Sequence, residues 1–266
     1  MPRLRTLSPL VALPLIVGCK VVDAPDAIEE LVVFGFVHFD DDIEYLEAVG
    51  EKLFPAVAEH EDELAEGYFV DLLTAEDLEL AGVQDAVTEG IIGALGRSEY
   101  TNDLDAVVCG VAWPDKANTE AFESYLEYTL EDDGNLACFL ERECERYDTT
   151  ATQRVTASIL GEATQSFTRS FRWVEPRDGD PYVVSRLLAP EPIAFDSEIL
   201  AVDQQYSFVM LYPHGQSTRR LETFWVEARA LGFELPEAFA VSNAVSTMQN
   251  QAGEIDAFID GGEGCR

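Results

Sequence analysis

The sequence predicts an α+β protein: a helical N-terminal region, then an antiparallel sheet, then one long C-terminal helix. Three observations carry that prediction. Apolar residues recur at helical spacing through residues 27–83. From residue 153 to residue 230 the apolar period becomes two, with short turns between the runs, the pattern of half-buried strands. From Val241 the steps return to four, three, four, three and four, through Val245, Met248, Ala252, Ile255 and Ile259. That spacing lays one apolar stripe along a helix.

Residues 1–18 stand apart. Arg3 and Arg5 precede an apolar run from Leu7 to Val17, which is shorter than the ~20 residues a membrane-spanning helix needs. Pro9 and Pro14 also disfavour such a helix. The segment reads as a secretory signal, and it closes on Ile16-Val17-Gly18-Cys19. The basic start, apolar core and this tetrapeptide resemble the lipobox of bacterial lipoproteins. The resemblance implies cleavage after Gly18, a diacylglycerol on the Cys19 thiol and a palmitate-type chain on the new amine. More than one chain is what stable anchoring requires. Lys20, rather than Asp, follows the cysteine, which in such lipoproteins favours the outer membrane. Residues 19–26 then form a tether.

The elements follow in order. Asp26 precedes a helix from Ala27 to Phe34 with Glu29 and Glu30 in its first turn, where negative charge suits the helix dipole; Gly35 is a natural end. Asp40-Asp41-Asp42 fits an N-cap, and Ile43, Leu46, Val49, Leu53, Val57 and Leu64 define the next helix, kinked at Pro55. Thr74 and Asp77 form a capping box for a third. These make an acidic helical region at 27–89. Gly90, Gly93 and Gly96 lie in an expected strand, 90–101, where a backbone bends or packs closely. Helices are expected from Asp103 to Pro114, from Ala121 to Leu130 and from Leu136 to Glu145. Strands are expected from Gln153, at Glu162–Val174, Tyr182–Leu188, Ile193–Val202, Gln204–Tyr212 and Thr218–Ala230. Pro236 suits the first turn of the last helix, and Gly261-Gly262 ends it. Residues 261–266 are a short tail.

The order of residues 90–260, one strand, helices, a six-stranded meander and a terminal helix, resembles the START-like (SRPBCC) superfamily. That resemblance implies a helix-grip fold, a curved antiparallel sheet wrapped on the long C-terminal helix, with an apolar ligand between them. The pocket-facing residues it implies are Phe167, Phe171 and Trp173 from one strand, Tyr206, Phe208, Met210 and Tyr212 from another, and Val241, Val245 and Met248 from the helix. The same side chains also suit a filled core.

Charge and cysteine content bound the function. The net charge is −34, with 51 acids against 17 bases. Residues 19–150 hold 35 acids and 6 bases. Such a surface disfavours nucleic acid, whose phosphates need clustered Lys and Arg. Cys109, Cys138, Cys144 and Cys265 are candidates for two disulfides in an exported chain, and the pairing stays open. A bridge between Cys138 and Cys144 requires a helix break, because six residues of continuous helix separate Cα atoms by ~9 Å. His38, His60 and His214 lack zinc-ligand spacing. No motif supports a catalytic site, a cofactor or a metal. Two readings remain: an envelope lipoprotein that binds a hydrophobic or amphipathic small molecule, or a filled structural lipoprotein whose acidic face meets a basic protein partner.

Cys19→Ser should release the protein from detergent-extracted membranes, because no thiol is left to acylate. Unchanged membrane association on fractionation would refute the lipobox reading.

Overall fold

A computed structural model describes residues 22–265 apart from 85–87, 157–160, 197–199, 231–232, 235–236 and 263. The signal segment, Cys19 and Pro236 lie outside the described residues. Four short helices come first: α1 (Ile28–Val37), α2 (Ile43–Glu59), α3 (Glu61–Glu66) and, after β1 (Tyr68–Phe69), α4 (Ala75–Leu80). Then follow β2 (Ile91–Tyr100), α5 (Leu104–Ala112), β3 (Tyr125–Asp132) and α6 (Leu136–Leu140). The meander is β4 (Arg146–Thr156), β5 (Glu162–Val174), β6 (Tyr182–Ala189), β7 (Ala194–Phe195), β8 (Leu200–His214), β9 (Ser217–Ala230) and β10 (Phe233–Glu234). Helix α7 (Glu237–Gly261) closes the chain. The main sheet runs β1-β2-β9-β8-β6-β5-β4-β3, antiparallel throughout. No helix among the described residues is long and apolar enough to cross a membrane.

Both faces of this sheet are covered. On the outer face, Tyr182, Val184, Tyr206, Phe208, Met210 and Trp225 share one buried cluster with Leu31, Val32 and Phe36 of α1 and Leu46, Val49 and Leu53 of α2. Tyr182 Oη donates to Leu46 O at 2.8 Å. Two buried arginines satisfy carbonyls where α1 ends, groups that a helix leaves without internal partners. Arg186 donates to Phe36 O at 3.3 Å and pairs with Asp40. Arg172 donates to Phe39 O at 2.6 Å and to Asp41 O at 2.8 Å. On the inner face, α5, α6 and α7 pack over Phe171, Trp173, Val183, Val209 and Leu211.

Several expectations meet corrections. Residues 121–130 are not a helix: a short 3₁₀ turn, Glu120–Phe122, leads into β3, which pairs with β4. Tyr and Thr favour a pleated edge, and β4 offers a ladder of unmade hydrogen bonds that outweighs the weak helical spacing. The helix expected to Glu145 stops at Leu140, and Arg142 has φ 58°. That break lets Cys138 and Cys144 bond with Cα atoms 5.2 Å apart. Cys109 of α5 bonds Cys265, tying the C-terminal tail to the inner layer. The single strand expected at Ile193–Val202 is divided between β7 and the start of β8, with a bridge between Ile193 and Val202, and residues 197–199 lie outside the described residues. Pro55 lies inside α2, and the break falls at His60 instead. The tether is shorter than its range suggests, since Ala24 is buried and Lys52 donates to its carbonyl and to Asp26.

Gly35 does not end α1 but lies within it, against β8. A Cβ there would meet the Phe208 ring at 2.6 Å. Gly35→Ala should therefore lower stability by ~1–3 kcal/mol through overpacking, although Gly→Ala inside an exposed helix gains ~0.5–1 kcal/mol. Urea unfolding with the disulfides intact reads the sign. A raised midpoint would mean that α1 does not seat on Phe208.

Candidate functional site

Register decides what the inner face carries. Opposite one another across β5, β6, β8 and β9 lie Arg169 and Leu187, Leu187 and Ser207, Ser207 and Phe224. Side chains alternate along each strand, so the inner row of β5 reads Ala163, Gln165, Phe167, Arg169, Phe171 and Trp173. On β9 the inner row includes Arg220, Glu222, Phe224 and Val226. Met248 and Val245 of α7 approach this face closely at Gly96, where a Cβ would meet Met248 Cε at 2.9 Å. Here glycine is required by a close helix approach.

Between sheet and α7 lies a cavity of about 250 Å³. Its sheet wall includes Gln165, Phe167, Arg169, Leu187 and Gln205. β9 adds Arg220, Glu222, Phe224 and Val226, and α7 adds Ala244, Met248, Gln251, Glu254 and Ile255. Lys116, Phe122, Tyr125 and Tyr128 complete the lining. The lining is thus mixed: an apolar portion, three cations and two carboxylates.

The ten residues assigned to a pocket from sequence separate into four places. Phe167 and Met248 line the cavity. Val241 and Val245 pack beside it with Ala94 and Phe224. Phe171 and Trp173 fill the core with Phe139, and Trp173 Nε1 donates to Phe139 O at 2.9 Å. Tyr206, Phe208, Met210 and Tyr212 face the opposite way, under α1 and α2. The alternation put these four on one face correctly, but that face is the outer one. Because helices cover both sides, an aromatic strand face does not identify the concave side.

The polar lining was missed from sequence. Lys116 is 5% exposed and its Nζ donates to Val111 O at 3.2 Å. Its ammonium lies 5.7 Å, 5.8 Å and 5.5 Å from the ring centres of Phe122, Tyr125 and Tyr128, a range in which ring quadrupoles attract cations. Burial, reinforced by Arg169 and Arg220, pulls its pKa down to about 7, against a smaller opposing pull from Glu254. Burial likewise pushes Tyr125 up to about 12 and raises Glu254. Arg220 pairs with Glu222 at 2.6 Å. Arg169 rests between the Phe167 and Phe171 rings, 5.8 Å and 5.9 Å from their centres. Gln153, Gln165 and Gln205 form a chain of hydrogen bonds, 3.2 Å each. Among the described residues, no group of three or more His, Cys, Asp or Glu could hold a metal ion.

No protein-family model matches the chain, and no curated protein matches it. Among solved structures it is similar to a STAR-related lipid transfer protein from Xanthomonas axonopodis, at TM-score 0.40 and 12% identity, covering 65% of this chain and 96% of that one. It is similar to a START superfamily protein from Mycobacterium smegmatis, at TM-score 0.37 and 12% identity, covering 64% and 97%. It is also similar to a norcoclaurine synthase from Thalictrum, at TM-score 0.36 and 10% identity, covering 65% and 96%. What the cavity can hold is therefore read from its own residues.

The buried amine should cost stability. A lysine with its folded pKa lowered to about 7 binds fewer protons than the unfolded chain does from there up to its ordinary 10.5. Stability from this group therefore rises with pH across that window, and the full cost is felt below pH 7. Lys116→Met should raise the urea midpoint at pH 6, and its advantage should shrink toward pH 10. A variant less stable than wild type at pH 6 would contradict the burial of an uncompensated amine.

Proposed function

We propose that the protein is an envelope lipoprotein that binds a small amphipathic molecule in the cavity between its sheet and α7. One observation supports the reading above others: the cavity joins an apolar wall of Phe167, Leu187, Phe224 and Met248 to a cluster of buried polar groups. A purely structural core would not keep such groups, because burying them without partners costs free energy. The volume, about 250 Å³, lies just under the ~300–1,000 Å³ of typical small-molecule pockets. It suits one chain or ring system rather than a two-chain lipid.

The membrane part of the proposal rests on Cys19 and Lys20. Ala24 is already buried in the folded body, so only the four residues 20–23, five Cα–Cα steps, separate it from an acylated Cys19. Fully extended, they span ~17 Å. The body would then sit close to the bilayer, with its acidic helices kept off anionic lipid by charge.

The test uses the neutral dye N-phenyl-1-naphthylamine, which fluoresces in apolar surroundings. Wild type should bind it in one saturable site. Ala244→Trp, which fills the α7 side of the cavity, should weaken binding at least tenfold while leaving the urea midpoint close to wild type. Undiminished dye binding by that variant would place the site elsewhere and defeat the proposal.

A further inference from the structure

The charges of this chain are unevenly matched. Among the described residues, ten cationic side chains form an ion pair: Lys52 and nine arginines, including buried Arg172, Arg186 and Arg220. With threefold more acids than bases, a carboxylate partner is easily found anywhere. Arg177, which is exposed, lacks one. So do Lys116 and Arg169, and both of these line the one cavity under α7. Their lack of a partner is local and cannot be ascribed to scarcity of acids.

Other polar groups on the inner face are also unmet. Arg169 Nε, Arg220 Nε and the hydroxyls of Ser98, Ser185 and Ser207 are buried without a hydrogen-bond partner. Buried polar atoms are nearly always satisfied, and exceptions call for an explanation. Arg169 lies near the Phe167 and Phe171 rings, contacts that limit its freedom before a ligand arrives. Lys116 is held among three rings. Arg169 repels the Lys116 ammonium. Glu254 acts on Lys116 electrostatically, yet it forms no ion pair with it and takes two 3.4 Å contacts from Ser124 Oγ instead. Arg220 is already neutralised by Glu222.

We propose that Arg169 and Lys116 form an oxyanion subsite, and that the molecule bound in this cavity is a single-chain or single-ring amphiphile with an anionic head, a carboxylate or a phosphate. This rests on the binding function proposed above and names its ligand class. The head lies between the two cations, relieving their repulsion, and a guanidinium fork matches either head bidentately. The apolar tail lies along Phe167, Leu187, Phe224 and Met248. A neutral or cationic head would leave both cations unpaired.

Isothermal titration with four ten-carbon probes below their micellar concentrations tests this: decanoate, decyl phosphate, decanol and decylamine. Decanoate or decyl phosphate should bind at least tenfold tighter than decanol, and the stronger of the two identifies the head. Decylamine should bind weakest. Arg169→Gln should abolish the preference for the anions while leaving decanol affinity unchanged, and Arg169→Lys should restore part of it. Lys116→Met should reduce the preference without removing it. Arg177→Gln, which lacks an ion pair but lies outside the cavity, should behave as wild type. Equal binding of decanol and the anions, or an anion preference that survives Arg169→Gln, would overturn the subsite and leave the cavity as a binding site. Binding of none of the four would overturn both. Circular dichroism and urea midpoints of each variant identify any change that comes from unfolding.

Discussion

The long hairpin of β8 and β9 is the constraint on which the rest of the structure depends. Its fourteen paired positions run from Leu200–Ala230 to His214–Ser217. It occupies the middle of the sheet, with β2 on one side and β6 on the other. Because side chains alternate, the hairpin supplies two layers at once. Tyr206, Phe208, Met210, Leu221 and Trp225 anchor the N-terminal helices. Gln205, Arg220, Glu222, Phe224 and Val226 line the cavity. A slip of one residue would exchange these sets, putting Arg220 and Glu222 under α1 and the large rings into the cavity. The single irregularity, between Val202 and Gln204, lies near one end of the hairpin and leaves the register of this central part intact.

The outer helices have a structural part in this arrangement. By covering the aromatic outer face they let the inner face be polar without loss of the apolar burial that folding needs. Their acidic residues also have specific work. Asp40 faces Arg186 and Arg146, and burial, which alone would raise its carboxyl, is outweighed by these two guanidiniums, so its pKa is lowered. The acidic excess of the chain is thus partly consumed in holding arginines at layer boundaries, and the two cavity cations stand out against that background. Residues that cost stability but line a cavity are what a binding site requires and a core does not.

Much of the fold was legible in the sequence because it is written in periodicity. Strands β5, β6, β8 and β9, the capping box of Thr74 and Asp77, the Asp103 helix start and the α7 stripe all appear where residue spacing and local chemistry put them. Two things were not legible. Segment 121–130 has spacing compatible with helix or strand, and only the neighbouring β4 edge decides between them. Which face of a strand is concave depends on layers remote in sequence, so Tyr206, Phe208, Met210 and Tyr212 were assigned to the wrong side. The cavity left a faint signal. Gln165 and Arg169 interrupt an otherwise apolar row at positions in step with Phe167 and Phe171, and Arg220 and Glu222 do the same before Phe224. Polar residues in step with a core-facing row mark a wet or liganded surface. Lys116 left no such signal, since it lies in a short turn and reaches the site only through the fold.

Native mass spectrometry of the protein purified from its own host, without added ligand, decides whether the cavity under α7 holds a small anionic amphiphile. The expected result is a sub-stoichiometric or full adduct with the mass of a single-chain or single-ring acid, released on unfolding and missing from Arg169→Gln. Wild-type protein that is consistently free of any adduct, or that carries a neutral or cationic one, would contradict it.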